Sequence, residues 1–409
     1  MFCEHTLPNG LRVVCERVPA VSSIALGFLV RTGARDEAPH EHGVSHYLEH
    51  MCFKGTARRN WHDINVRFDE LGSIYNAFTG KEHTVYYGWV PADRFEPQLE
   101  LLADMMRPAL PNEDFETERN VILEEIAMND DSFDRHVSYF LHRTVFGEHP
   151  LAHEILGEKE TIAGLPRDTM AAYHAERYTP ENMVLVASGA VEPERIFAAA
   201  ARACGGWARG RRQQRQRAAP PKLGTGVHRL KLDRFRQQSV IIAYPSVRHG
   251  TKHDASLGAL GALFGGANSR CYWHIVQKGI CSSAGVAWLS YADTGMLAFY
   301  ADGEPERAEE MHDALRKEIA DLRKKGVRPD EVERVRNQRR TQLALESESP
   351  RTRFMQVIDD IEEVARPRSV NARLAETAAV SPQTIADYFR EYPIDGDGML
   401  LSCGAREWP

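Results

Sequence analysis

The sequence predicts an α+β protein made of two halves of similar size. Three observations predict it. The chain has 409 residues, more than one ordinary domain holds. Strand-like apolar runs alternate with helix-like amphipathic stretches on both sides of its middle. Between them the composition changes at residues 207–226. There Trp207-Ala208-Arg209-Gly210-Arg211-Arg212-Gln213-Gln214-Arg215-Gln216-Arg217 is basic and polar, followed by Pro220-Pro221 and two glycines. That stretch reads as a solvated linker between domains rather than as a patch for an anionic surface. The expected domains are therefore residues 1–206 and 227–409, with no evident sequence repeat between them.

The elements follow in order. Residues 6–32 predict a hairpin, because Leu7-Pro8-Asn9-Gly10-Leu11 places Asn-Gly between two apolar runs, a two-residue turn signal. Ile24 to Val30 is apolar throughout and reads as a buried strand, which Gly33 ends. Residues 43–56 have helical spacing. Ser73 to Phe78 and Thr84 to Trp89 predict a strand pair. Residues 94–107, 113–130 and 161–177 predict helices, since apolar positions recur every three or four residues, and Asn182 to Ser188 predicts another buried strand. Beyond the linker, Ser239 to Tyr244 is a strand, a long helix starts near 254, and residues 304–325 and 330–348 are helical with one heavily charged face.

Hydrophobic residues at 43% and charged residues at 27% place the chain among ordinary globular proteins and exclude a disordered one. The net charge of −7 argues against nucleic acid as the main partner and suits basic or extended polypeptides. Seven cysteines, an odd number without any C-x-x-C pair, argue against a disulfide framework or a cysteine zinc site and point to a reducing, cytoplasmic setting. Met1-Phe2-Cys3-Glu4-His5 has no basic segment followed by an apolar core, so no signal peptide is expected, and no apolar run is long enough for a membrane span.

The chemistry-bearing stretch is His46-Tyr47-Leu48-Glu49-His50. On a helix, His46 and His50 stack on one face, four residues apart. Two imidazoles so spaced can chelate one zinc ion, and a carboxylate beside them, Glu49, can act as the base toward water. The order is H-x-x-E-H, the inverzincin motif. Two histidines leave a catalytic zinc one protein ligand short, so a distant carboxylate is required. Candidates lie in Glu116-Thr117-Glu118-Arg119-Asn120-Val121-Ile122-Leu123-Glu124-Glu125-Ile126, where Glu118 and Glu125 share a helix face two turns apart and Glu124 is rotated off it. One carboxylate can serve the metal and one can orient a ligand from behind. His40, His42, His62 and His83 lie near the motif but lack the spacing to join it.

The block from Gly43 to Thr56, which contains Phe53-Lys54-Gly55-Thr56 after the motif, resembles that of the pitrilysin-type inverzincin metallopeptidases. It is most similar to the half-length branch that includes the mitochondrial processing peptidase and its bacterial relatives. Three further blocks match in order: Asn76 to Thr84, Glu118 to Ile126, and Ile155-Leu156-Gly157 with Thr161-Ile162. The resemblance covers the first 200 residues strongly and the rest weakly. The family's spacing puts the third zinc ligand about 75 residues after the second histidine, which here is Glu125. The resemblance thus implies one zinc per chain on His46, His50 and Glu125, Glu49 as general base, and Glu118 as the orienting carboxylate. It also implies that Asn76, Ala77, Phe78 and Thr79 form an edge strand to which an extended peptide adds through main-chain hydrogen bonds. The fold expected is two similar domains, each a mostly antiparallel sheet with helices packed on it. The activity expected is a zinc metalloendopeptidase acting on short or unfolded polypeptides, as a homodimer or as a heterodimer with a paralogue.

The second half departs from the family's pattern. Ser269-Arg270 matches a block resembling Ser-Arg-Leu-Phe-Gln, but the later family arginine is Val276 and the family tyrosine is Ser282 or Ser283. Arg270, Tyr291 and Tyr300 remain without an assigned role. This points to a zinc-bearing subunit that relies on a paralogue for the arginine/tyrosine pair. The rivals are a non-catalytic scaffold like the core proteins of the cytochrome bc1 complex and a module that traps peptides without cutting them. A scaffold has no need to keep His46, Glu49, His50 and Glu125 together.

Overall fold

The Asn-Gly signal forms a turn, but not a two-residue one. Thr6 pairs with Arg12, Gly10 N–H donates to Leu7 O at 2.8 Å, and Leu7 N–H donates to Leu11 O at 2.9 Å. Gly10 takes a φ of 94°, the positive value that ends a three-residue hairpin loop. The structure is a computed structural model and describes residues 2–213, 215 and 226–409. Of the expected linker, residues 214 and 216–225 lie outside the described residues. In chain order the elements are β1 (Phe2–Thr6), β2 (Arg12–Arg17), β3 (Ser23–Val30), α1 (Val44–Met51), α2 (Trp61–Leu71), β4 (Ile74–Thr79), β5 (Thr84–Pro91), α3 (Phe95–Met105), α4 (Asn112–Asn129) and α5 (Phe133–Phe146). Then come α6 (Lys159–Gly164), α7 (Arg167–Arg177), β6 (Met183–Gly189) and α8 (Pro193–Cys204). After these follow β7 (Gly226–Lys231), β8 (Gln238–Ser246), α9 (Asp254–Phe264), β9 (Ser283–Ser290), β10 (Gly295–Gly303), α10 (Ala308–Lys325), α11 (Pro329–Ser347), α12 (Pro350–Val364), α13 (Val370–Ala379), α14 (Pro382–Glu391) and β11 (Met399–Gly404).

The expected helix at 161–177 is two helices, broken at Leu165-Pro166 where proline bars the preceding residue from helical conformation. Residues 6–32 are not one hairpin either. β2 and β3 do not pair, because β6 lies between them.

The chain forms two compact units, neither continuous in sequence. One comprises Met1–Asn129, His153–Gln216 and Leu345–Ser369, and the other Asp130–Ala152, Arg217–Ala344 and Val370–Pro409. The contiguous halves expected from the sequence differ from these units at 130–152 and 345–369. The first unit's sheet has the order β1-β2-β6-β3-β5-β4 and the second's β7-β11-β8-β10-β9. Without β1 the two orders correspond strand for strand. Each opens on a parallel pair, β2 with β6 and β7 with β11, and is antiparallel thereafter. The fold class is α+β with two similar, mostly antiparallel sheets, as expected.

Each sheet has two apolar faces, and this explains the exchanged segments. In the first unit, Ile24, Leu26, Phe28 and Val30 of β3 face a core shared with α1 and α3. The opposite face presents Val14, Ala25, Leu29, Val85, Tyr87, Val184 and Val186, and it is covered by Phe354, Val357, Ile358 and Ile361 of α12 at helical spacing. β3 is therefore apolar throughout because both faces are covered. In the second unit, α5 covers Ile241, Ala243, Met296, Ala298, Met399 and Leu401 with Leu141, Val145 and Phe146. A fragment ending at residue 206 lacks α12. It is expected to bind a hydrophobic dye and aggregate, and a soluble fragment that unfolds cooperatively without binding dye would contradict the covering role of α12.

Among the described residues no helix is long and apolar enough to cross a membrane. None of the seven cysteines is in a disulfide.

Candidate metal centre

The site forms where α1 meets α4. α1 is only eight residues long, and its start is built by close backbone contact. Gly43 has a φ of 94°, and a Cβ there would lie 2.5 Å from Ile162 Cδ1 and 2.6 Å from Leu156 O. Gly157, with a φ of 76°, approaches so closely that a Cβ would lie 2.4 Å from His42 O. Thr161 Oγ1 donates to His42 O at 2.9 Å. The block at 155–162 thus seats the start of the motif helix, which accounts for its glycine and threonine.

Sequence reasoning missed Glu37. Its buried carboxylate accepts from Gly43 N–H and from Ser45 N–H, both at 2.8 Å, so it caps the positive end of α1. Burial pushes its carboxyl up to about 8, against the pull of those two amides. The available signal was an acidic residue shortly before a helix start, which is common enough to pass unnoticed. Ser45 Oγ lies 2.7 Å from the buried Tyr173 hydroxyl, which also meets Thr32 Oγ1 at 2.8 Å.

α4 is held against α1 by Tyr47, which stacks on Phe115 with ring centroids 4.7 Å apart and donates its hydroxyl hydrogen bond to Phe115 O. This brings Glu125 to the histidine pair. Glu125 Oε2 lies 3.8 Å from His46 Nε2 and 3.9 Å from His50 Nε2. One ligand atom from each of His46, His50 and Glu125 lies within 4.8 Å of the others. Tetrahedral zinc ligands at about 2.0–2.1 Å from the ion stand roughly 3.4 Å apart, so a contraction of about half an ångström brings Glu125 to that spacing from each histidine.

The donor chemistry fits as well. His50 Nδ1 is 2.9 Å from Glu118 Oε2, which fixes the ring and leaves Nε2 directed to the site. Lys54 Nζ meets the other Glu118 oxygen at 2.5 Å. Burial would raise the Glu118 carboxyl, but the bonds from His50 and Lys54 hold it below its usual value. Burial opposes charge on His50, and Glu118, Glu49 and Glu125 together raise its pKa nonetheless.

Glu49 is buried on the same helix, and burial raises its carboxyl. Thr79 Oγ1 donates to Glu49 Oε2 at 2.5 Å. Thr79 ends β4, which among the described residues is the terminal strand of its sheet and pairs only with β5. The expected substrate residues Asn76, Ala77, Phe78 and Thr79 therefore do lie on an edge strand. Phe78 and Ile74 are exposed, Ala77 is buried, and Asn76 Oδ1 accepts from Ala77 N–H at 2.9 Å. The link from Thr79 to Glu49 has no sequence signature.

In the second unit, Arg270 is engaged. Its Nε and Nη2 meet the two oxygens of Glu331 at 2.8 and 2.6 Å, and Nη2 also donates to Gly326 O. Tyr291 is buried, its hydroxyl 2.7 Å from His142 Nε2.

Residues 12–159 match the family model described as insulinase (peptidase family M16), and residues 164–339 match the one described as peptidase M16 inactive domain. An uncharacterised zinc protease of Mycobacterium leprae (strain TN) is 34% identical over 334 residues, 80% of this chain and 74% of that protein. The uncharacterised zinc protease YmxG of Bacillus subtilis (strain 168) is 31% identical over 369 residues, 87% of this chain and 86% of that protein. The crystal structure of a protease from Helicobacter pylori has the same fold, with a TM-score of 0.90 at 21% identity over 98% of this chain and 99% of that one.

Proposed function

The chain belongs to peptidase family M16, and on that premise we propose that it is a zinc metalloendopeptidase that cuts short or unfolded polypeptides held in extended form. The observation that carries this reading is the meeting of His46, His50 and Glu125 beside a buried Glu49. His46 Nε2, His50 Nε2 and a Glu125 oxygen would hold one zinc ion per chain. Zinc bound there supplies the Lewis acidity that polarises the scissile carbonyl and acidifies water. Glu118 keeps the His50 ring oriented. Thr79 holds Glu49 Oε2, which leaves Oε1 to take the proton from the attacking water and return it to the leaving amine. The outer edge of β4, through Asn76, Ala77 and Phe78, offers main-chain hydrogen bonds to an extended peptide. The odd cysteine count suits a cytoplasmic setting.

One zinc per chain is expected on elemental analysis of the purified protein. Hydrolysis of a quenched extended peptide should vanish with a chelator and return with zinc. A folded chain that cuts peptides equally well after complete zinc removal would sink the reading.

A second reading concerns partners. The family's arginine and tyrosine positions hold Val276 and Ser282 or Ser283, and Arg270 is committed to Glu331. This favours a zinc-bearing subunit that gains transition-state support from a paralogue in a heterodimer over a self-sufficient homodimer.

A further inference from the structure

We propose that Arg215, in the segment read from sequence as a solvated linker, is a positioning residue that clamps together the two loops on which the site is built. Its guanidinium grips two carboxylates at once. Nε and Nη2 donate to Asp36 Oδ1 and Oδ2 at 2.9 and 3.0 Å, and Nη1 donates to Glu82 Oε1 at 3.2 Å. Nη2 also donates to Glu82 O. Both carboxylate side chains are nearly inaccessible, at 5% and 10% exposure, so these are desolvated, charge-assisted bonds rather than a surface pair.

Asp36 and Glu82 lie in loops that already touch. Ala34 N–H donates to Gly80 O at 3.1 Å and Arg35 N–H to Lys81 O at 2.9 Å. Arg35 Nη1 meets Glu82 Oε1 at 2.6 Å. Each loop leads straight into the site. Glu37, next to Asp36, caps α1 through Gly43 and Ser45. Thr79, three residues before Glu82, holds Glu49. Arg215 therefore ties the support of the motif helix to the support of the base. Elsewhere among the described residues of the run, Arg209 meets Glu181 with a side chain that is 70% exposed. An arginine fork that spans two carboxylates has no equivalent in lysine.

The catalytic part of this inference rests on the peptidase reading, so its test has two arms. In the full chain, Arg215→Ala is expected to speed amide hydrogen exchange about tenfold in both 33–51 and 76–83, while exposed Arg211→Ala leaves both segments as in the wild type. Unchanged exchange in Arg215→Ala would overturn the clamp. On a quenched peptide, kcat is expected to fall about tenfold or more with KM within about twofold, since displaced catalytic groups cost rate before binding. Faster exchange with a wild-type kcat would overturn the positioning role and leave a merely structural bond. Should Arg215→Ala not fold, Arg215→Lys, which keeps the charge and loses the fork, carries the same two readouts. A wild-type chain without hydrolysis both alone and with its paralogue would sink the peptidase reading, and the exchange arm would still decide the clamp.

Discussion

Glutamine in place of Glu49 is expected to abolish hydrolysis while leaving the metal content intact. Glu49 is not among the three groups that meet at the centre, so its charge is not needed to bind the ion. The amide oxygen of glutamine can still accept the Thr79 hydroxyl hydrogen bond, which Glu49 Oε2 now accepts at 2.5 Å, so the local packing is kept. What is lost is a group able to take and return a proton. General base catalysis contributes about 10²–10⁴-fold, so kcat/KM should drop by about a thousandfold with zinc at one per chain. Elemental analysis and peptide cleavage on the same preparation check both halves. Glu49→Gln cleaving at the wild-type rate would remove Glu49 from the chemistry.

The largest expected effect on stability comes from the opposite face of the same sheet. Arg353, at the start of α12, is 1% exposed and forks onto Glu16, with Nε to Oε2 and Nη2 to Oε1 both at 2.9 Å. It also bonds Gln356 and Arg368 O. Arg353→Met keeps much of the volume but leaves the buried Glu16 carboxylate, among the described residues, with Ser188 Oγ at 3.2 Å as its remaining side-chain partner. Removing one member of a buried pair costs about 3–5 kcal/mol, mostly from the charge left behind. The double variant Glu16→Gln/Arg353→Met should therefore lose less than Arg353→Met alone, a non-additivity that an exposed pair would not give. The midpoint of the first urea transition is the measure to use, because a chain of two units need not unfold in one step. An unchanged midpoint in Arg353→Met would show that the pair does not fasten α12 to the sheet.

These two sites differ in how far they were legible beforehand. The motif helix, the strand pair at 74–91 and the buried strand β3 carry their own periodicity; the strands lie within two residues of their expected places, while the helix expected over 43–56 ends at Met51. His46, Glu49 and His50 share one short helix, so their relation is local. Glu125 was reached through the resemblance, and Glu118 was one of several acids on a Glu-rich helix until His50 was seen against it. Glu37 carried only the common signal of an acid before a helix start, and the hydroxyl of Thr79 and Arg215 had no pattern to mark them. Arg215 in particular sits in a run of arginines and glutamines, and only its partners at 36 and 82 distinguish it.

By itself the sequence marked the motif helix, the strands β3, β4, β5, β6 and β8, several of the helices, and a metal-binding pair with a carboxylate beside it on one helix. These follow from side-chain period and turn chemistry, which depend on near neighbours. The tertiary structure alone decided that α5 and α12 cover sheets far from them in sequence and that Thr79 and Arg215 meet Glu49 and Asp36, whereas the edge strand, Glu125 and Glu118 were reached through the resemblance. Such pairings join residues tens to hundreds of positions apart. An apolar helix face is written the same way whichever sheet it covers, and a carboxylate reads the same whether it meets water, an arginine or an imidazole.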